Sequence, residues 1–197
     1  MCIICISPSK VRQPDLHTLA TMFYMNPHGA GYMYARNGKV HIRKGFMDFA
    51  SFHTAVRRER FTAEDSVVYH FRISTQAGVQ PQMTHPFPLS NQGPRLRALR
   101  ESCRFGIAHN GVIQLTSDPN NKQYSDTAIF IANYLTDLIK RQADLHDPKL
   151  LNQIHELAQS KLAIMDTTGY VATVGKFIND HGLLFSNTSY RPFRLAR

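Results

Sequence analysis

The spacing of apolar residues along this chain switches repeatedly between the two-residue period of a strand and the 3.6-residue period of a helix. Cys2 to Ser7 is a short apolar run and reads as a strand. Pro14 to Met25 reads as a helix, with Leu16, Leu19, Ala20 and Phe23 on one face and Asn26-Pro27 as its stop. Gly31 to Ala35 and Val40 to Lys44 flank Asn37-Gly38, a hairpin signal. Phe49 to Arg60 is a second predicted helix, and Ser66 to Ser74, β-branched and aromatic, a further strand. A long irregular segment rich in Gln, Pro and Gly follows to about Ser102. It exceeds a simple connection, and loops of that size carry function or stay disordered. Arg104 to Ala108 is again a strand, ending in the turn tripeptide His109-Asn110-Gly111.

Thr127 to Lys140 predicts an amphipathic helix opened by Ser125 or Asp126, and Lys149 to Ser160 another. Lys161 to Asp166 and Tyr170 to Val174 form a second hairpin around Thr168-Gly169, and a last strand lies near Leu183 to Ser186. There is no internal repeat and no linker. The expected organisation is one α+β domain spanning 1–197 with a basic tail over 190–197.

Composition narrows this picture modestly. At 197 residues and 43% hydrophobic, the chain can fill one buried core, and charged residues at 19% argue against global disorder. No apolar run approaches the length of a membrane span, and no secretory leader is visible. Three cysteines, an odd number, point away from a disulfide framework and toward a reducing cytoplasm. The formal charge of +9 raises nucleic-acid binding, but the arginines are scattered and no recognition motif accompanies them, which leaves weak electrostatic association.

Candidate chemistry begins at Cys2. Loss of Met1 would expose a residue with both a thiol and a free α-amine, so that one residue supplies nucleophile and base; the alternative is a structural cysteine. Cys2 and Cys5 form a C-x-x-C, yet three residues along a strand face opposite ways, which argues against metal or dithiol chemistry. In His70-Phe71-Arg72-Ile73-Ser74-Thr75, alternation sets Arg72 with Ser74. A guanidinium there suits a carboxylate, from a ligand or from a structural Asp. Asn110 and Gly111 can aim a side-chain amide and a backbone N–H at one oxygen, or simply form a turn. Asp126 at a helix start can complement the helix dipole or bind an ammonium group.

Taken in order, Cys2, His70-Phe-Arg-Ile-Ser-Thr75, Thr84-His-Pro-Phe87, Ala108-His-Asn-Gly111 and Ser125-Asp-Thr127 resemble the class II glutamine amidotransferases. Asn26-Pro-His-Gly-Ala-Gly31 resembles that family's glycine-bearing segment, and the likeness extends to Phe185-Ser-Asn187. The resemblance implies a four-layer αββα sandwich of the N-terminal-nucleophile hydrolase type, with two stacked, mainly antiparallel sheets covered by helices. It implies that Cys2 attacks the glutamine side-chain amide, with its α-amine as base. Arg72, helped by Ser74 or Thr75, would hold the α-carboxylate, Asp126 the α-ammonium, and Asn110 with Gly111 the oxyanion, while His85 shapes the glutamine loop. No metal or cofactor is implied.

Five positions depart from the family pattern. Ile3 stands where Gly is usual, Gln76-Ala77 where His-Gly is common, His28 where an acidic residue is common, and Ala128 where Glu follows Ser-Asp-Thr. No nucleotide fingerprint follows the matched region. The ammonia acceptor is therefore expected on a separate protein, with the basic tail Tyr190 to Arg197 as a docking point. Alternatives are an amidase for another amide or peptide, and a binding module that kept the fold without the chemistry.

Overall fold

The computed structural model describes residues 2–74, 79–117 and 123–191. Its strands are β1 (Ile3–Ser7), β2 (Ala30–Arg36), β3 (Lys39–Phe46), β4 (Val67–Phe71), β5 (Phe87–Pro88), β6 (Arg100–Cys103), β7 (Phe105–Asn110), β8 (Lys161–Asp166), β9 (Val171–Val174), β10 (Ile178–Asp180) and β11 (Leu183–Phe185). The helices are α1 (Leu16–Met25), α2 (Phe49–Glu59), α3 (Gly93–Arg97), α4 (Asp126–Phe130), α5 (Thr136–Leu138) and α6 (Pro148–Ala158). The strands form two sheets, ordered β10-β11-β1-β4-β2-β3-β6 and β5-β7-β8-β9, with every pairing antiparallel. The chain is thus α+β. No helix among the described residues is long and apolar enough to cross a membrane.

Alternation along the strands sorts their side chains. On β1, Ile3 and Cys5 face Leu19, Met22, Phe23 and Phe52 of α1 and α2. Ile4 and Ile6 face the opposite way, against Ala108, Ala163 and Met165 of the second sheet. On that sheet's far side, Ile107, Leu162 and Ile164 pack with Phe130, Leu135 and Ile154. Helix starts are fixed by side-chain caps: Asp15 accepts from the Thr18 amide at 2.8 Å, Asp48 from Ser51 at 2.8 Å and Ser125 from Ala128 at 3.2 Å.

Several expectations need correction. In α1 the buried face is Leu19, Met22 and Phe23, while Leu16 at the first turn remains 54% exposed. The helix expected from Thr127 to Lys140 is broken. After α4, Ile131–Leu135 winds with wider π-type turns, α5 is a single short turn, and the backbone is extended at Ile139. The segment read as irregular contains α3, β5 and β6, so both sheets gain an edge strand there. It is pinned by Lys44, whose ammonium donates to the carbonyls of Gln82 at 3.0 Å and Leu96 at 2.8 Å and lies 3.6 Å from the Phe87 ring centre. Burial pushes the Lys44 pKa well below its ordinary value.

Candidate active site

Three strand ends meet at one edge of the two sheets. β1 begins just after Cys2, and its Ile3 pairs with Phe71 at the end of β4. β7 ends at Asn110, opposite Lys161 at the start of β8. The His109-Asn110-Gly111 tripeptide is therefore not wholly a turn. His109 and Asn110 stay in the strand because β8 pairs with them, and the bend falls at Gly111, where φ is +143°. A Cβ at Gly111 would meet Ser160 Cβ at 2.7 Å, so the position tolerates only glycine without movement.

Cys2 is partly buried. Its thiol lies 3.5 Å from the Ile73 carbonyl, and its own carbonyl accepts a 2.7 Å hydrogen bond from Asn187 Nδ2. Burial raises the thiol above its ordinary pKa, and the nearby Arg72 charge opposes that rise. Arg72 is itself buried, with Nη2 donating to Ser74 Oγ at 3.2 Å, so these two residues do share a side. His28 braces this stretch: its N–H donates to the Arg72 carbonyl at 2.9 Å, and its Nδ1 accepts from the Ser74 amide at 2.9 Å. Thr75 lies outside the described residues, as do Gln76 and Ala77.

Asn110 Nδ2 donates to Ser186 Oγ at 2.8 Å, and Ser186 in turn brackets Ile4, accepting from its N–H at 2.9 Å and donating to its carbonyl at 3.0 Å. Asn110 thus sits beside β1, two residues along from the nucleophile candidate. An amide nitrogen carries two protons; one serves Ser186 and the second remains available. Asp126 shares its carboxylate between roles. Oδ2 accepts from the Ile113 amide at 2.8 Å and Oδ1 from Thr127 N at 2.8 Å, yet its charge acts on both Arg72 and His109.

Sequence reasoning missed the polar network behind these groups. His70, His85 and His109 are buried, with the His70 and His85 ring centres 4.3 Å apart, and alternation along β7 turns His109 toward Thr127 of α4. His70 Nε2 must donate to the His109 carbonyl, 2.8 Å away, because a carbonyl only accepts. Thr127 Oγ1 donates to Asp126 Oδ1 at 3.3 Å. The two ring nitrogens that meet this hydroxyl, His109 Nδ1 at 2.8 Å and His85 Nε2 at 3.1 Å, are then the donors. Ser160 Oγ, 2.8 Å from His109 Nε2, completes the chain. One thread therefore joins the His85 segment, the strand carrying Asn110 and the Asp126 carboxylate. The signal available in the sequence was two histidines in or at the end of predicted strands and a third in the long irregular segment, a pattern with no period of its own.

Burial lowers the pKa of all three imidazoles: His70 falls to about 3 and His109 to about 4, and His85 is well below its ordinary value. They are neutral in the folded chain at pH 7. Between the ordinary value of 6.5 and these lowered values, the unfolded chain binds protons that the folded chain refuses. Stability is therefore full above pH 6.5 and declines as pH falls toward 4, by roughly 1.4 kcal/mol per pH unit for each histidine. Urea titrations at pH 7, 6 and 5 should show this decline, with a shallower slope in His70→Asn. A midpoint unchanged across that range would contradict neutral burial.

Among the described residues, no group of three or more His, Cys, Asp or Glu is placed to hold a metal ion. The basic segment expected as a docking tail is described only at Tyr190 and Arg191. Here Tyr190 stacks on Phe185 at 3.7 Å and donates to Asp180 at 2.7 Å, and 192–197 lie outside the described residues. Compared with protein-family models and with characterised proteins, the chain matches none.

Proposed function

We propose that the chain is a class II glutamine amidotransferase domain of the N-terminal-nucleophile type, its two sheets and flanking helices forming the αββα sandwich of that fold. The observation that carries this reading is the position of Arg72, whose charge acts on both the Cys2 thiol and the Asp126 carboxylate. A cation within reach of both a nucleophile and an anion suits a free amino acid, which presents a carboxylate and an ammonium together.

The chemistry follows from the groups present. Cys2 Sγ attacks the carbonyl carbon of the glutamine side-chain amide. Its proton passes to the α-amine freed by loss of Met1, and from there to the departing nitrogen, which leaves as ammonia. The negative oxygen of the tetrahedral intermediate takes the second Asn110 Nδ2 proton and the Gly111 N–H; each such donor is worth about a hundredfold or more in rate. Water then cleaves the γ-glutamyl thioester to glutamate. Arg72 with Ser74 and Thr75 holds the α-carboxylate, Asp126 the α-ammonium, and His85 the wall of the pocket. Ammonia passes to a separate acceptor enzyme, in the cytoplasm.

One observation favours a second reading. Both Asp126 oxygens already accept backbone amides, which suits an amidase whose substrate lacks a free ammonium. Ammonia release from L-glutamine, compared with ammonia release from Nα-acetyl-L-glutamine, separates the two, using protein whose N-terminal cysteine is verified by mass. The proposal expects hydrolysis of glutamine and at least a roughly tenfold preference for it. Equal rates would favour the amidase, and no release from either would leave the fold without this chemistry.

A further inference from the structure

The chain crosses from the first sheet to the second at Arg104, between β6 and β7, and a cavity of about 490 Å³ opens beside that crossing. Its lining brings together cations from four separate segments: Lys39 at the start of β3, Arg95 in α3, Arg104 at the crossing, and Lys140 after α5. Leu89 adds partly exposed apolar surface, and the nearly buried Phe105 and Ile139 complete the apolar part of the lining. Two of the cations are neutralised locally, Arg95 by Glu101 at 3.1 Å and Lys140 by Asp137 at 3.2 Å. Among the described residues, Lys39 and Arg104 belong to no ion pair. The β3–β6 register pairs Val40 with Cys103, so one further step along the ladder brings Lys39 level with Arg104. Like charges placed opposite each other on neighbouring strands repel, and an anion between them removes that cost.

We propose that this cavity binds a phosphorylated small molecule of about nucleoside-monophosphate size, with its phosphate at Lys39 and Arg104 and its less polar body against Leu89. The volume falls within the roughly 300–1,000 Å³ typical of small-ligand sites, and guanidinium and ammonium groups together suit a phosphate. A small ligand is favoured over an acidic peptide because the cations converge on one cavity rather than lining a track. The site is distinct from the candidate active site. It lies at the Phe105 end of β7, whereas Asn110 is at the other, about 17 Å away along the strand. The proposal therefore does not depend on the glutamine reading.

Calorimetric titration of the full chain with AMP tests it, with adenosine, a glutamate-rich peptide and three variants alongside. Saturable binding of one AMP per chain is expected, weakened about tenfold or more in adenosine and in Lys39→Glu/Arg104→Glu. Lys39→Gln/Arg104→Gln, the gentler change, should weaken binding in the same direction if the charge-reversed chain fails to fold. Arg57→Glu/Arg58→Glu, on the exposed basic face of α2, should leave it within about twofold. The proposal is overturned by the absence of saturable binding, by adenosine matching AMP, by equal loss in the α2 variant, or by the peptide displacing AMP at lower concentration.

Discussion

Cys2→Ala is expected to reduce glutamate release from L-glutamine by at least about 10³-fold, because no other group can form the thioester and removal of a covalent nucleophile disables the whole machinery. The raised pKa of Cys2 sharpens this expectation. A thiol that burial holds in its protonated form at neutral pH needs a base beside it. In the proposed mechanism the α-amine of the same residue serves, and only when nothing precedes it in the chain. Protein that keeps Met1 has an amide in that place and should be as inactive as Cys2→Ala, although its thiol is intact. Cys2→Ala should leave the fold unchanged, since it removes one partly buried sulfur whose contact to Ile73 is long at 3.5 Å. Rates measured on mass-verified samples of all three forms decide the matter. Retained activity in Cys2→Ala would remove Cys2 from the mechanism, and full activity with Met1 present would remove the amine.

Gly31→Ala should produce the largest loss of stability. Gly31 sits in β2 between Lys44 of β3 and His70 of β4, inside a sheet bounded on both faces by packed layers. A Cβ there would stand 2.2 Å from the His85 carbonyl oxygen and 2.8 Å from that of Arg43. Both obstacles are backbone, so relief requires moving a central strand or the peptide of His85 rather than turning a side chain. The cost is about 3 kcal/mol or more, a large share of the 5–15 kcal/mol that a domain commands in total. For a chain of this length the thermal midpoint should fall by roughly 10 °C. A shift under about 2 °C would mean that the His85 segment yields easily and is no rigid wall of the site.

The fold was readable wherever burial imposed a period. β1, both hairpins, α2, α6 and β8 fall within a few residues of their expected positions, because each buries a face that alternates or repeats. The helix after Asp126 shows the limit of that logic. Phe130, Ile131, Leu135 and Ile139 are buried whether the turns are α or π, so the apolar pattern alone does not distinguish them. β6 was invisible for the opposite reason. Arg100, Glu101, Ser102 and Cys103 form a half-exposed edge held to β3 through the backbone, and backbone pairing leaves no side-chain signature.

The candidate site divides in the same way. Cys2, Arg72, Asn110, Gly111 and Asp126 could be named from residue type and order. The structure sets Cys2 and Asp126 each within electrostatic reach of Arg72 and ties Asn110 to β1 through Ser186. What could not be read is the support behind them. The Thr127 hydroxyl that gathers His85, His109 and Asp126 is one contact among residues distant in sequence. The Asn187 amide on the Cys2 carbonyl spans nearly the whole chain. Such pairings obey no local rule, because they are consequences of the sheet topology rather than causes of it.

That last bond also sets a timetable. β1 leaves the ribosome well before its outer neighbour β11 and the Ser186 and Asn187 side chains that clasp it, Asn187 lying 185 residues beyond Cys2. Until those residues are made this strand has no partner on that side, and the segment around Cys2 stays open to the enzymes that trim nascent chains. A translation product cut short before Leu183 would contain every residue assigned to the chemistry and still be unable to close its site.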